Sequence, residues 1–207
     1  MVPWTNSSSG EIKMKKAVAA LIALIMAASL CGCSVTIGSP ESTVDEFFNA
    51  LKDKDAEVLI LYTDNNDINT LLNNTIDEEY MNNIYGDLMR NLSWKITSIK
   101  ENEDQTEAVV TVEVTNSNFS KTLKNYKEAA IDYMMDNLYK EEVTKKVMKK
   151  ECMNIFAAQI NSTSEKENNL VTKTVEVNLT KNDNYTWDME VTKELTKAAI
   201  GGMKWPQ

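Results

Sequence analysis

The spacing of apolar residues changes along the chain, and each change predicts a different kind of secondary structure. From residue 40 to residue 91, apolar residues recur every three or four positions, as in Val44, Phe47, Phe48 and Leu51, the spacing of helices that bury one face. We expect a first helix from residue 40 to about 52 with Ser39 as its N-cap, a short helix over 55–62, and a helical stretch in two pieces over 68–91.

Four later stretches alternate between apolar and polar residues, which is the period of half-buried strands. They begin at Leu92, Ala108, Val171 and Tyr185, and turns at 101–105 and 182–184 separate the members of each pair. Since residues 87–200 contain no glycine or proline, we expect Asn and Asp at 182–184 to supply the backbone conformations that glycine usually adopts. Because each strand has one polar face, the pattern predicts one antiparallel sheet that is covered on one side.

A long helical segment separates the two predicted hairpins. Residues 120 to about 161 have apolar residues at helical spacing, and one inward stripe consists of Leu123, Tyr126, Ala130, Met134 and Leu138. We expect a break near 139–144 because one helix of that length is unusual in a globular protein. A short closing segment over 193–200 ends at Gly201 and Gly202. The predicted fold class is α+β: N-terminal helices packed on one face of a curved antiparallel sheet of about four strands, with a long helical insertion between two hairpins. It occupies a single domain over 40–202, followed by a tail over 203–207.

The N-terminal segment has the pattern of an export signal. Lys15 and Lys16 precede an apolar run of 14 residues from Ala17 to Leu30, which is shorter than the roughly 20 residues of a membrane-spanning helix. The pattern predicts a signal peptide that is removed after export. We interpret residues 1–32 as an upstream extension plus this signal, with translation starting at Met14. A genuine, slightly extended N-terminal region is the alternative.

The end of the apolar run, Leu30-Cys31-Gly32-Cys33, resembles the lipobox of bacterial lipoproteins. The resemblance implies that diacylglycerol, with acyl chains such as palmitate, is attached to Cys33 and that cleavage falls between Gly32 and Cys33. Two or three acyl chains give a stable anchoring that one chain cannot. We therefore expect a protein held at the cell membrane on its extracytoplasmic side, with residues 33–39 as a lipidated tether. The alternative is an ordinary secretory signal with coincidental cysteines.

The net charge and the residue composition argue against several kinds of partner and cofactor. The 207 residues have a net charge of −9 and include no histidine. Removing residues 1–32 takes away three lysines and one glutamate, which leaves 19 basic and 30 acidic residues and a net charge of −11. No nucleic-acid partner is expected, because such a partner requires a basic surface. No metal or other cofactor is expected, and Cys152, the one thiol left after processing, is expected to be a small buried side chain and not a nucleophile.

Two segments resemble the cystatin-like, nuclear-transport-factor-two superfamily. Residues 44–52 (VDEFFNALK) look like its opening helix, and residues 185–189 (YTWDM) look like its aromatic last strand. The chain is similar in particular to lipid-anchored members from Gram-positive bacteria. The resemblance implies a cone-like α+β domain over roughly 40–202, and the long helical insertion departs from the simplest cone and could cover or fill its pocket.

Enzymes of that superfamily resemble polyketide cyclases and ketosteroid isomerases, which place an aspartate base and a histidine or tyrosine donor inside the cone. In this sequence no carboxylate falls in the inward register of the predicted strands, and Asp188 and Glu190 are expected to face water. We therefore expect no catalytic residue and no enzymatic activity. The alternative is a small-molecule cyclase-like or isomerase-like enzyme with an apolar pocket.

Five side chains share the inward face of the predicted strands: Trp94, Val112, Val177, Trp187 and Met189. Aromatic and methionine side chains of this kind could line a ligand cavity. Packing of the core explains them without a ligand, and it is the favoured interpretation.

Residues 64–69 (DNNDIN) invite comparison with a calcium-binding loop. The EF-hand pattern requires glycine at its sixth position and glutamate at its twelfth, where this chain has Asn69 and Thr75. We interpret the segment as a turn that ends a helix.

A small basic face on the helical insertion could contact anionic lipid, and it consists of Lys145, Lys146, Lys149 and Lys150. We expect instead a solvated helix face, with Glu141 and Glu142 paired to the first two lysines at i, i+4 spacing.

These observations predict a lipid-anchored extracytoplasmic protein whose domain is a non-enzymatic binding module at the membrane surface. The expected partners are the membrane, through the covalent lipid, and an extracytoplasmic protein, peptide or small apolar ligand. The sequence leaves the oligomeric state open.

Overall fold

Helices and antiparallel strands follow one another in the part of the chain that the computed structural model describes, residues 38–62 and 78–203. In chain order the elements are α1 (Pro40–Asp53), α2 (Ala56–Tyr62), α3 (Glu78–Met89), β1 (Ser93–Glu101), β2 (Glu107–Ser117), α4 (Thr122–Asn137), α5 (Lys145–Ser164), β3 (Leu170–Lys181), β4 (Trp187–Met189) and α6 (Lys193–Ala199). The predicted α+β class is confirmed. The first piece of the predicted 68–91 helix and the 64–69 turn lie outside the described residues.

Helix α1 begins where the sequence predicts. The side-chain oxygen of Ser39 accepts a hydrogen bond from the backbone N–H of Ser42 at 3.1 Å, and Ser42 Oγ accepts in return from the N–H of Ser39 at 2.8 Å. This reciprocal cap, with Pro40 at the first helical position, satisfies N–H groups that a helix start leaves free. The predicted apolar stripe of α1 is buried: Val44, Phe47, Phe48 and Leu51.

The four strands form one open antiparallel sheet in the order β1-β2-β3-β4. Strand β2 pairs with β1 on one side, from Ser93 opposite Thr115 to Glu101 opposite Ala108, and with β3 on the other side along its whole length. The helical insertion therefore connects two neighbouring strands, and the pairing of β2 with β3 joins the two predicted hairpins into one sheet.

One face of the sheet forms the core, as the alternating pattern predicts. The buried residues of this face are Ala108, Val110, Val112, Val114, Val177, Leu179, Trp187 and Met189. Trp94, which we expected on the same face, is only half-buried, and so are Ile96 and Val175. The physical reason is their position. Strand β1 is an edge strand, and β4 pairs only with residues 179–181 of β3, so Val175 has a neighbouring strand, β2, on one side only.

The turn between β3 and β4 differs from the prediction in one respect. The positive φ falls on Tyr185, at 61°, and not on the Asn or Asp residues before it. Asn182 provides hydrogen bonds instead, because its Oδ1 accepts from the N–H groups of residues 184 and 186 at 3.0 and 3.1 Å. The β1–β2 turn has the same arrangement, with Asn102 as the acceptor and Gln105 at φ 54°. In each turn the asparagine comes first and accepts hydrogen bonds from two later N–H groups. The residue with positive φ therefore comes after it.

Strand β4 is shorter than the predicted 185–191 stretch. It spans only Trp187–Met189, because the left-handed backbone of Tyr185 prevents pairing before it and Thr192 caps α6 soon after it. The side-chain oxygen of Thr192 accepts from the N–H of Leu195 at 3.1 Å.

The insertion is a helical hairpin, a name we keep for α4, α5 and the loop between them. The predicted break is confirmed, since α4 ends at Asn137 and α5 begins at Lys145 after the N-cap Thr144. Its base is held by Asn91, whose Nδ2 donates to Ser117 Oγ at 2.9 Å and to the Ser164 carbonyl at 2.7 Å. In the described ranges, no helix is both long enough and apolar enough to cross a bilayer.

The predicted glycine cap after α6 is confirmed. Gly201 and Gly202 have φ values of 58° and 77°. A Cβ on Gly201 would lie 1.8 Å from the carbonyl oxygen of Ser117, and the Gly201 carbonyl accepts from the N–H of Phe119 at 2.9 Å. The C-terminal turn thus contacts the end of β2 so closely that no side chain fits.

Within the described residues, the core lies after the predicted tether. The buried apolar residues run from Val44 to Met203 and form one cluster, and residues Gly38–Gln207 form one compact unit. A chain that begins at Ser34 therefore retains every residue of this cluster.

We predict that truncations on the two faces of β2 have unequal cost. Val112→Ala should lower the free energy of unfolding by about 2 kcal/mol, because it leaves a void in a fully buried site. The neighbouring Glu113→Ala, on the opposite face, should change it by no more than about 0.5 kcal/mol. Denaturant unfolding of the chain from Ser34 measures both, and equal losses would mean that the one-sided sheet is wrong.

The two glycines after α6 provide a second comparison. Gly201→Ala should cost at least about 3 kcal/mol, since the new Cβ meets backbone as well as a left-handed φ. Gly202→Ala should cost only about 1 kcal/mol, because the nearest atom to its new Cβ is 3.9 Å away and the φ penalty alone applies. Thermal and denaturant melts compare the pair. Similar losses at both positions would refute the close contact between Gly201 and β2.

Candidate functional site

The side chains that could bind a metal ion are dispersed among the described residues. Within residues 38–62 and 78–203, no three Cys, Asp or Glu side chains are grouped so that they could hold a metal ion. Cys152 is half-buried on α5, and not buried as expected, and the buried residues of that helix are Ile160 and Ser164, more than one turn further along.

The five proposed pocket-lining side chains lie together in the core. Val112, Val177, Trp187 and Met189 are buried, and Trp94 packs against the same cluster while half-buried. The indole of Trp94 stacks on Phe48 with ring centroids 5.1 Å apart and donates to the carboxylate of Asp45 at 2.7 Å. The structure thus places them in contact with other side chains of the core, and a ligand among them stays a prediction.

The two carboxylates of the last strand region face solvent, as the sequence predicts. Asp188 and Glu190 are exposed, and each accepts a hydrogen bond from an asparagine amide: Asn182 at 2.9 Å for Asp188, and Asn178 at 3.0 Å for Glu190. A general base must reach its substrate in an enclosed site, so these groups give the cyclase-like alternative no support.

An acidic groove of about 440 Å³ runs between α1 and α2 and contains Asp45, Glu46, Asp53 and Asp55. Three of these carboxylates already serve the fold. Asp45 accepts from Trp94, Glu46 accepts from the Tyr62 hydroxyl at 2.8 Å, and Asp55 accepts from the N–H of Val58 at the start of α2. The bonds of Asp45 and Glu46 join residues far apart in the chain, which no periodic pattern relates, whereas the bond of Asp55 is a local one at the start of α2. We assign the groove a structural role.

Two tyrosine hydroxyls stay neutral in this region. Burial, and after it the nearby Asp53, raises the pKa of Tyr85 above its usual range, and its hydroxyl donates to the Leu51 carbonyl. Burial and the hydrogen bond to Glu46 raise the pKa of Tyr62 in the same direction. A phenol that donates to a carbonyl or a carboxylate and resists ionisation acts as a tie between helices, and not as a proton donor in catalysis.

A polar cavity of about 350 Å³ lies at the base of the helical hairpin. Its hydroxyls and amides bond to groups of the same hairpin base: Thr163 Oγ1 donates to the Gln159 carbonyl at 2.6 Å, and Asn169 Nδ2 donates to the Thr163 carbonyl at 3.2 Å. These bonds fix the junction between the hairpin and the sheet.

The outer half of the helical hairpin exposes large apolar side chains. Ile131, Met134 and Met135 on α4 and its C-cap Leu138 have the spacing i, i+3, i+4, i+7, which places them on one helix face, and all four are exposed. Tyr139 in the loop is 91% exposed, and Val147 on α5 is exposed too. We call these six residues the exposed stripe. They make up six of the ten exposed large apolar side chains in the described residues.

The exposed stripe corrects an expectation about α4. The sequence pattern placed Met134 and Leu138 in one inward stripe with Leu123, Tyr126 and Ala130. In the structure Ala130 is buried and Tyr126 packs edge-on against Phe156 of α5 at 5.1 Å, whereas Met134 and Leu138 are exposed. Helix α4 turns one apolar face toward α5, and within the described residues no element covers its second apolar face, which includes Met134 and Leu138. The sequence contains evidence of this exposed face, because a second set of apolar residues at helical spacing begins at Ile131.

The four lysines of the basic face form no ion pair within the part of the chain described here. The predicted pairs with Glu141 and Glu142 are wrong, because both glutamates lie in the loop before α5, where the i, i+4 spacing of a helix does not apply. The first turn of α5 contains Lys145 and Lys146 and no acidic residue, which is the arrangement that the helix dipole disfavours.

The proposed lipid attachment residue Cys33 and the cleavage position after Gly32 lie outside the described residues. So do the upstream segment and the signal peptide. These assignments stay predictions from the sequence.

No family model and no curated protein matches the chain. A solved structure that is similar is that of a "putative lipoprotein (ycdA)" from Bacillus subtilis subsp. subtilis str. 168, with 20% sequence identity and a TM-score of 0.40. The match covers 81% of this chain and 48% of the other, so the chain spans about half the length of that protein. The resemblance to the nuclear-transport-factor-two superfamily stays a prediction.

We predict that the exposed stripe contributes little to folding. Leu138→Ala should change the free energy of unfolding by no more than about 0.5 kcal/mol, because the side chain is 58% exposed and surface changes rarely cost more. Ile160→Ala on the same helical hairpin, at a fully buried site, should cost about 3 kcal/mol. Denaturant unfolding of the two variants tests this. A loss at Leu138 that matches the loss at Ile160 would show that the stripe is part of the core.

Proposed function

We propose that this chain is a lipid-anchored extracytoplasmic protein whose domain is a non-enzymatic binding module at the membrane surface. The support for the anchor is the lipobox-like sequence ending in Cys33, after a positively charged start and an apolar run of 14 residues. In the described residues the first helix begins at Pro40, so five residues, 34–38, would separate Cys33 from the helix cap Ser39. The six steps from Cys33 to Ser39, at roughly 3.4 Å each, span about 20 Å, which keeps the domain close to the bilayer.

The exposed stripe is the observation that supports a binding role. Soluble domains rarely display large apolar side chains side by side on one helix face, and such patches mark interaction sites. Three of the four carboxylates in the acidic groove, and Thr163 and Asn169 in the polar cavity, already bond within the fold. Binding by surface contact therefore explains more of the molecule than chemistry on a small substrate does.

For the fold we propose a variant of the cystatin-like cone of the nuclear-transport-factor-two superfamily. The support is the order of elements, with helices first and then strand pairs that end in Trp187-Asp188-Met189. The helical hairpin between β2 and β3 is the departure from that pattern, and it is also the element that presents the exposed stripe.

Acylation of Cys33 is the first test of the proposed function. Cells that express Cys33→Ala and are fed a fatty-acid analogue should yield a protein without label that is not cut before residue 33. The matched control is Cys31→Ala, which removes the neighbouring thiol and keeps the small residue that the pattern tolerates there, and it should be labelled and cleaved normally. Undiminished label on Cys33→Ala would contradict the anchor, and loss of label in both variants would point to a general export defect.

A further inference from the structure

The loop end of the helical hairpin is its most exposed part and lies away from the sheet. Helices α4 and α5 have 16 and 20 residues, or about 24 and 30 Å at 1.5 Å per residue. Their other ends join β2 and β3, where Arg90 pairs with Glu165 at 3.0 Å and Asn91 donates to Ser164. We call residues 138–150, which comprise the loop and the start of α5, the hairpin apex.

The hairpin apex combines exposed apolar groups with positive charge. Leu138, Tyr139 and Val147 are exposed there, and the segment contains five lysines and two glutamates, a net charge of +3 in a chain whose total is −9. Within the described residues, no carboxylate neutralises Lys145, Lys146, Lys149 or Lys150. The charge of the apex is therefore opposite to that of the protein as a whole, and it is available to a partner.

We propose that the hairpin apex docks on an anionic lipid bilayer. An aromatic and aliphatic tip surrounded by lysines suits the membrane interface, where apolar side chains enter the boundary of the acyl chains and ammonium groups meet lipid phosphates. Juxtamembrane lysines are attracted to anionic lipid by about 1 kcal/mol each, or roughly fivefold in affinity. The inference deepens the proposed function, on which it rests for the presence of a bilayer within reach of the tether.

A second copy of the chain is a less suitable occupant. A symmetric contact places the same surface on both partners, so apex-to-apex pairing would bring ten lysines together with four glutamates. Like charges that face one another oppose such a contact, whereas an anionic bilayer is attracted by the same charges.

Co-sedimentation with lipid vesicles tests the docking. The chain from Ser34 lacks Cys33, so its binding does not depend on acylation. It should sediment with phosphatidylglycerol-rich vesicles much more than with phosphatidylcholine vesicles, and salt should weaken the binding because it screens exposed charges. The double variant Leu138→Ser/Tyr139→Ser should bind about tenfold more weakly. Its matched control is Leu61→Ser/Tyr185→Ser, which removes an equally exposed leucine and tyrosine elsewhere and should bind like the wild type.

The charge contribution has its own pair of variants. Lys145→Gln/Lys149→Gln should weaken binding to the anionic vesicles by about fivefold for each lysine, and Lys95→Gln/Lys173→Gln, exposed on the sheet, should have little effect. Equal binding by all variants, or equal binding to both kinds of vesicle, overturns the proposal. A dimer in sedimentation equilibrium that the apex substitutions dissociate overturns it in favour of a second copy. Neither result bears on the acylation of Cys33, which the labelling experiment tests separately.

Discussion

The central strand β2 is the constraint on which the rest of the structure depends. It is paired on both sides, and its inward positions run from Ala108 through three valines to Asn116, all buried. The amide of Asn116 donates to the Leu88 carbonyl at 3.0 Å and to the Ala199 carbonyl at 2.6 Å, so one side chain satisfies the ends of α3 and α6 and ties both helices to the strand. A buried polar group is tolerated when its hydrogen bonds are made. The register of β2 therefore fixes the valine core and the positions of two helices at once.

In a domain of this kind, the side chains bonded within the fold maintain its structure, and function depends on the side chains that are exposed. Carboxylates and tyrosines near α1 hold this helix to its neighbours. Asp45 bonds to Trp94 of β1, and Tyr85 of α3 bonds to Leu51. The helical hairpin is different, because Asn91 bonds its base to the end of β2, whereas its outer half exposes the apolar stripe and, within the described residues, four lysines that form no ion pair. The buried core thus lies in α1, α2, α3, the sheet, the base of α5 and α6, whereas the contact surface that we propose lies near residues 131–150.

The sequence predicted the elements that follow from period and capping. The capped start of α1, the alternating faces of β2 and β3, the break in the insertion and the glycine turn after α6 are all correct, since each depends on neighbours within a few residues. Predictions failed where a tertiary contact decides the outcome. The partial exposure of Val175 depends on the length of β4, and Met134 is exposed because, within the described residues, no element covers the second apolar face of α4. The ion pairs expected for Lys145 and Lys146 failed because the helix starts later than Glu141 and Glu142. The contacts of the α1 carboxylates join distant residues and leave no periodic signal.

Hydrogen exchange followed by mass spectrometry tests the separation of scaffold and contact surface most directly. The chain from Ser34 would be compared alone and with phosphatidylglycerol vesicles. The account predicts that the amides of β2 exchange slowest in both samples, because opening them requires global unfolding, and that vesicles add protection only over residues 131–150. Added protection along α1 or β4 with none on the helical hairpin, or β2 amides that exchange as fast as those of the hairpin, would contradict it.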